Sequence, residues 1–244
     1  LDDDVQIDAS GAFTTRGIAF SQIESLNANS GLDTIKLTNG ADTVVVDGAN
    51  AVTTAGLALT GVEAVAGQGG KDSLLLGASG EVVSVTGANA LTFSGISFTE
   101  VDALDAGGGL DEIKLTSGAD TVTVTGTGAA DAAGISFSQI EVLWGNGGGD
   151  SATLSAGDDT ILMVSGTEVN SNGLRFLHFA GFSGGDGKDT VFLSAAPETV
   201  TLTGKQSATL VGVPFTAIEG VETGGGADTL VLTTADDAVS VQDG

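Results

Sequence analysis

The sequence predicts an all-β chain built as a parallel β-solenoid, a β-helix or β-roll, of 39-residue repeats. Three observations carry that prediction. A Gly-x-Asp tripeptide returns every 39 residues without insertion or deletion, short apolar pairs alternate at period two between clusters of Gly, Asn, Asp and Thr, and no stretch holds a helical period.

The register is set by Asp33, Asp72, Asp111, Asp150, Asp189 and Asp228, each with Gly two positions before it. Gly17, Gly56, Gly95, Gly134, Gly173 and Gly212 form a second column, and Leu37, Leu76, Leu115, Leu154, Leu193 and Leu232 a third. Phe20, Leu59, Phe98, Phe137, Phe176 and Phe215 make an aromatic-rich fourth. The repeats are then 11–49, 50–88, 89–127, 128–166, 167–205 and 206–244, within a single solenoid. Residues 1–10 are a partial repeat in the phase of 235–244, so that Val5 and Ile7 align with Val239 and Val241.

Inside a unit the apolar pairs are Ile18 with Phe20, Ile35 with Leu37, Val44 with Val46 and, more loosely, Ile23 with Leu26. A weaker fifth segment lies near Phe13, Val52 and Leu91. Strands this short bury no core alone, but residues at equal phase can stack, each column becoming a ladder along a sheet. A six-bladed β-propeller is the alternative, because blades run about 40 residues. Strands of about four residues are short for blades, and a second acidic turn recurs in each unit, which favours the solenoid. At ~4.8 Å per strand, six units extend about 29 Å as one coil each or about 58 Å as two coils each.

Composition sets the remaining bounds. With 5% aromatics, the core must be filled by Val, Leu, Ile and Ala, which suits a narrow one. The net charge is −25, yet 41% of residues are hydrophobic, a combination that folds where a disordered acidic chain would not. Seven Lys and Arg form no basic patch for nucleic acid. No apolar run reaches the ~18 residues of a membrane span. Leu1-Asp2-Asp3-Asp4 is neither a start Met nor a basic signal region, and neither end carries a distinct cap. The reading is a segment of a longer array, or one that stacks end to end on copies of itself. Zero Cys rules out disulfide staples and is compatible with the outside of bacteria.

The acids are the candidate site. Besides the Asp33 column there is a second at Asp42, Glu81, Asp120, Asp159, Glu198 and Asp237, and a third at Glu24, Glu63, Asp102, Glu141 and Glu219, interrupted by Ala180. Two carboxylates ~4.8 Å apart repel by about 0.9 kcal/mol in water and nearer 3.5 kcal/mol at an effective dielectric of 20, so a stacked ladder invites a cation. Asp before Thr or Ser also serves as a turn residue that caps local backbone N–H groups with no metal. The Glu24 column, between Ile23 and Leu26, reads as a solvated face.

The run from Asp33-Thr34-Ile35-Lys36-Leu37 to Asp42-Thr43-Val44-Val45-Val46 resembles the RTX nonapeptide, as do Gly147-Gly148-Gly149-Asp150 and Gly184-Gly185-Asp186-Gly187-Lys188-Asp189. That resemblance covers about 18 of each 39 residues. It implies a β-roll with Ca²⁺ held at Asp33, Asp72, Asp111, Asp150, Asp189 and Asp228, and at Asp42, Asp120 and Asp159. Ser79-Gly80-Glu81 and Ala196-Pro197-Glu198 depart from its pattern. The phrase from Gly134 to Leu143 looks like repeats of very large bacterial adhesins and two-partner-secreted filamentous proteins.

One segment is irregular. Around Gly173 to Phe182 the chain's one His, His178, stands among Phe176, Phe179 and Phe182, and Trp144 is the lone Trp. Phe176, His178, Phe179 and Trp144 are candidates for contact with a partner, but the favoured reading of Phe176, Phe179 and Phe182 is that they fill the core columns of Phe20, Ile23 and Leu26. Because the acids recur identically and bases are scarce, no catalytic constellation stands out, although some β-helices act on polysaccharides. The expected function is a stalk or fibre segment of an extracellular bacterial adhesin or matrix protein, reaching a receptor or surface polysaccharide through another domain. A self-assembling surface-layer or filament subunit is the alternative, and a polysaccharide-acting enzyme a more distant one.

Overall fold

A computed structural model describes residues 2–233. Among them there is no helix. Thirty short strands form two 15-stranded sheets, packed face to face around one continuous apolar core. The fold is the β-solenoid, not the propeller.

Two successive units show the winding. The first contains β1 (Asp4–Ala9), β2 (Ala12–Thr15), β3 (Ile18–Ser21), β4 (Ser25–Asn27) and β5 (Thr34–Lys36); the second contains β6 (Thr43–Gly48), β7 (Ala51–Thr54), β8 (Leu57–Thr60), β9 (Ala64–Ala66) and β10 (Ser73–Leu75). β6, β7 and β8 form an antiparallel meander in one sheet, pairing Val46 with Val52 and Val52 with Leu59. The chain then crosses to β9 in the other sheet and returns to β10. A third crossing leads to Val82–Gly87, which starts the next meander in the sheet opposite to the last.

Three crossings per unit is an odd number, so consecutive units place their meanders in alternate sheets. The parallel pairs that join units are therefore offset by 30 or 33 residues. Ile35 pairs Val65, Leu74 pairs Leu104, and Val65 pairs Phe98. This corrects the expectation that residues 39 apart stack on one another: each inner ladder mixes columns, running Val44, Leu74, Leu104, Phe137 along one sheet. It also corrects the coil count. Five strands per unit divided between two sheets give neither one coil nor two, but two and a half strand layers, about 12 Å of rise per unit and roughly 67 Å for the fifteen layers.

The meander has a local cause. Between β7 and β8 the loop is two residues, Ala55 and Gly56, with φ of 50° and 74°. Left-handed conformation at both positions makes the mirror-image turn whose twist matches a hairpin, and Gly takes the second position at no steric cost. Arg16-Gly17, Ser94-Gly95, Ala133-Gly134, Asn172-Gly173 and Val211-Gly212 repeat it, which accounts for the Gly17 column. The weak fifth segment is the middle strand of this meander, present in every unit even where it reads Ala129–Ala132 or Glu168–Ser171.

Alternate residues of each strand face inward. Ile35, Leu37, Val44, Leu57, Leu59, Leu74 and Leu91 are buried, as are Phe98, Phe137, Phe176 and Phe215. Polar residues on inner positions are satisfied locally: the buried Thr54 hydroxyl donates to the Thr43 carbonyl at 3.0 Å, and Ser171 to Thr160 at 3.1 Å. The phase match of residues 235–244, including Asp237, Val239 and Val241, lies outside the described residues.

Candidate functional site

Wherever the chain turns from one sheet to the other, the backbone leaves the ladder and its N–H groups need other acceptors. An acid stands at nearly every such corner, immediately before the strand that follows: Glu63 before β9, Asp72 before β10, Glu81 before Val82–Gly87. Corners of like direction fall on the same edge of the sandwich, and there the acids line up in runs offset by 30 residues. Asp42, Asp72 and Asp102 share one edge, as do Asp120 and Asp150; Asp3, Asp33 and Glu63 share the other, with Glu81, Asp111 and Glu141, and Asp159, Asp189 and Glu219. The ladder is thus not six Asp of one column but short runs mixing all three acidic columns on alternating edges.

After the first acid of a run, each carboxylate accepts the main-chain N–H of the acid 30 residues earlier. Asp42 donates to Asp72 Oδ1 at 2.8 Å and Asp72 to Asp102 Oδ2 at 3.0 Å. Glu81 donates to Asp111 Oδ1 at 2.7 Å and Asp111 to Glu141 Oε2 at 2.8 Å. Asp120 donates to Asp150, Asp159 to Asp189, and Glu198 to Asp228 in the same way. The backbone-capping role is therefore general, and it extends to the Glu24 column. Glu24 and Glu219 are exposed, as a solvated face would be, but Glu63, Asp102 and Glu141 are half-buried, and Glu63, Asp102, Glu141 and Glu219 cap the main-chain N–H groups of Asp33, Asp72, Asp111 and Asp189. Asn50 and Gln206 brace Glu63 and Glu219 from the side.

The central Asp of each run is the most enclosed. Asp33, Asp150 and Asp189 are 0% exposed and Asp72 3%. One oxygen of Asp33, Asp111, Asp150 and Asp189 accepts a main-chain N–H, while the other is buried with no hydrogen-bond partner. Burial pushes the carboxyls of Asp72, Asp150 and Asp189 up from the usual range, with nearby acids adding to the rise. Asp228 moves the other way, held down by the Glu198 main-chain N–H.

In the second acidic column a hydroxyl four residues earlier completes the site. Thr38 donates to Asp42 Oδ2 at 2.8 Å, Thr116 to Asp120 at 2.7 Å and Ser155 to Asp159 at 2.9 Å; Ser194 donates to Glu198. Gly77 stands where this hydroxyl belongs in the remaining described unit, and there the longer Glu81 faces Asp111 with an unpartnered oxygen. Burial and the adjoining Asp111 carboxyl raise Glu81 to about 7. The hydroxyl-x-x-x-acid spacing is a signal that reading the Gly-x-Asp tripeptides alone passes over.

The donor set bears on Ca²⁺. Among the described residues no three acidic or histidine side chains converge as they would around a metal ion. Capping leaves few free side-chain oxygens per turn where Ca²⁺ takes six to eight ligands.

The four partner-contact candidates divide. Phe176 and Phe179 are buried at 1% and 5% exposure and pack edge-to-face at 5.3 Å, with Phe182 joining from the opposite sheet and stacking on Phe215. These rings are core and present no surface. His178 is exposed and stacks on Trp144, whose other neighbour is the Lys114 ammonium, 5.6 Å from the ring centroid. No family model matches this chain, and comparisons with curated proteins and with solved structures return no significant match.

Proposed function

We propose that this chain is a spacer, a rod-like stalk or fibre segment of an extracellular bacterial adhesin or matrix protein. The observation that carries this reading is the uninterrupted core. All described units are the same length, each closes on its neighbours through both sheets, and no insertion departs from the winding to build a pocket of its own. The acids, the richest source of chemistry in the sequence, are engaged in holding corners. Such a design sets length and stiffness, because each unit contacts only its neighbours and adds a fixed rise.

Small-angle scattering on the chain and on a version lengthened by two units tests the spacer role. The maximum dimension should grow by about 24 Å, five strand layers, with an unchanged cross-section. An unchanged length, or growth in width, would overturn it. Antibody labelling of intact cells producing the parent reading frame tests location; signal only after lysis would remove the surface assignment.

A further inference from the structure

Repetition supplies an internal control for every outward position, and one region departs from it. Trp144 stands where the other units have Asn27, Ala66, Asp105, Ser183 and Glu222. Arg175 stands where they have Ala19, Ala58, Ser97, Ser136 and Pro214, and Leu177 where they have Ser21, Thr60, Thr99, Ser138 and Thr216. Leu162 replaces Gln6, Val45, Ser84, Thr123 and Thr201. None of the four is a core position: Leu162 is 46% exposed and the Arg175 side chain 49%, while Trp144 and Leu177 are half-buried.

The pairing register gathers these departures on the outer face of one sheet. Directly opposed residues there run Phe192, Leu162, Asn170, Arg175, Val142 and Glu112, and beside them Glu168, Leu177, Trp144 and Lys114. Six strands span about 24 Å along the rod. At the same height the other sheet shows Thr123, Thr153, Ser183 and Thr216, so the patch belongs to one side only. A groove opens within it, lined by Val142, Thr160, Asn170, Asn172 and Arg175, and the side-chain oxygen of Asn170 accepts no hydrogen bond. Several of the polar groups are held in place. Arg175 is fixed to Glu168 at 2.8 Å, Lys114 lies 3.5 Å from Glu112, and Trp144 is braced between His178 and Lys114.

Size and charge select the occupant. Two residues wide and about 24 Å long, the patch offers roughly a few hundred Å², against about 800 Å² per partner in a stable protein interface, which disfavours a second copy. The chain's charge of −25 repels an acidic ligand, and the cations that would attract one are already paired. A basic ligand has better sites among the acids elsewhere. An extended peptide laid on a sheet face finds no strand edge for its own N–H and C=O groups. A neutral sugar chain has none of these difficulties: its C–H faces cover apolar side chains, and its hydroxyls both donate and accept, as Asn170, Arg175 and Glu168 require.

We propose that this face, from Phe192 to Lys114, binds a neutral oligosaccharide lying along the rod axis, with Asn170 and the Arg175–Glu168 pair hydrogen-bonding its hydroxyls. Exposed Trp and Arg in fixed positions are the residues that carry binding energy in recognition surfaces. The proposal does not rest on the spacer reading, since a rod without the patch still sets length.

The lone Trp of a chain without Tyr reports on the site directly. Cellohexaose, maltohexaose, mannohexaose and chitohexaose, with a galacturonic acid hexamer as the acidic counterpart, are titrated by Trp144 emission and by calorimetry. At least one neutral sugar should give a saturable change, and the acidic hexamer none. Trp144→Ser, Arg175→Ser and Leu177→Thr restore residues already used at these positions in other units, so circular dichroism and melting should be retained while calorimetric affinity falls at least tenfold. Thr123→Ala, on the opposite sheet, should leave binding unchanged. Absence of binding to every neutral sugar at millimolar concentration, full affinity in the restored variants, or tighter binding of the acidic hexamer each overturn the proposal. Dimers in sedimentation that the restored variants abolish would assign the patch to a second copy and overturn it as well.

Discussion

The main-chain N–H of Asp111 donates to Glu141 Oε2 at 2.8 Å, across 30 residues of a chain whose sequence repeats every 39. The bond joins acids of two different columns, and one of those columns reads in the sequence as plain solvated surface.

Removing that cap has a measurable cost. Glu141→Ala leaves the Asp111 N–H enclosed without an acceptor and should destabilise the chain by about 1–2 kcal/mol in urea unfolding, while Glu141→Gln keeps an acceptor and costs less. A loss below a few tenths of a kcal/mol would return this column to the solvent face.

Stability should rise on acidification. Glu81, raised from 4.5 to about 7 by burial and by Asp111, binds its proton more readily folded than unfolded. Its burial therefore costs nothing below pH 4.5, begins to cost between there and pH 7, and costs most above. Asp72, Asp150 and Asp189, raised in the same direction, add to the trend at lower pH. Melting temperature followed from pH 8 to pH 5 should climb, and Glu81→Gln should flatten much of the climb between pH 7 and 5. An unaltered profile in that variant would clear Glu81 of the role.

Two glycines of positive φ separate conformational strain from collision. At Gly212, φ 83°, an added Cβ meets nothing within 4 Å, so Gly212→Ala should cost only the left-handed penalty, about 1–2 kcal/mol. At Gly148, φ 92°, the same atom overlaps the Gly118 main chain, so Gly148→Ala must push apart a pair of stacked corners and should cost more. Equal losses in thermal unfolding would contradict the close stacking of the corners.

Calcium is the remaining implication of the RTX-like turns. With one carboxylate oxygen in each pair capping a backbone N–H, melting in chelator and in millimolar Ca²⁺ at matched ionic strength should agree within about a degree, because only a ligand selective for the folded state shifts the equilibrium. A rise of several degrees with Ca²⁺ but not Mg²⁺ would bring the turn carbonyls in as ligands.

The contrast between what is and is not legible in the sequence has physical roots. The inward columns of Leu37 and Val44 follow from period-two alternation, and both residues are buried. The filling of the core by Phe176, Phe179 and Phe182 is one of the two readings their phase allows, and it is what the packing shows. The stacking offset cannot be read from phase alone, because equal spacing fixes which residues are equivalent but not which are neighbours. That depends on the number of crossings per unit, which the meander sets. Its signal is present in pairs such as Asn172-Gly173, a common hairpin turn, but the middle strand's apolar pattern is too weak in Ala129–Ala132 to announce a strand by itself.

The odd number of crossings makes the array a counter of parity. Gain or loss of two repeats, the natural outcome of slippage between tandem copies, changes only reach; gain or loss of one also turns everything beyond it to face the other way. A bulky tag fused after five units and after six should sit, in electron micrographs, on opposite sides of the rod. Variation in repeat number would then encode orientation as well as distance.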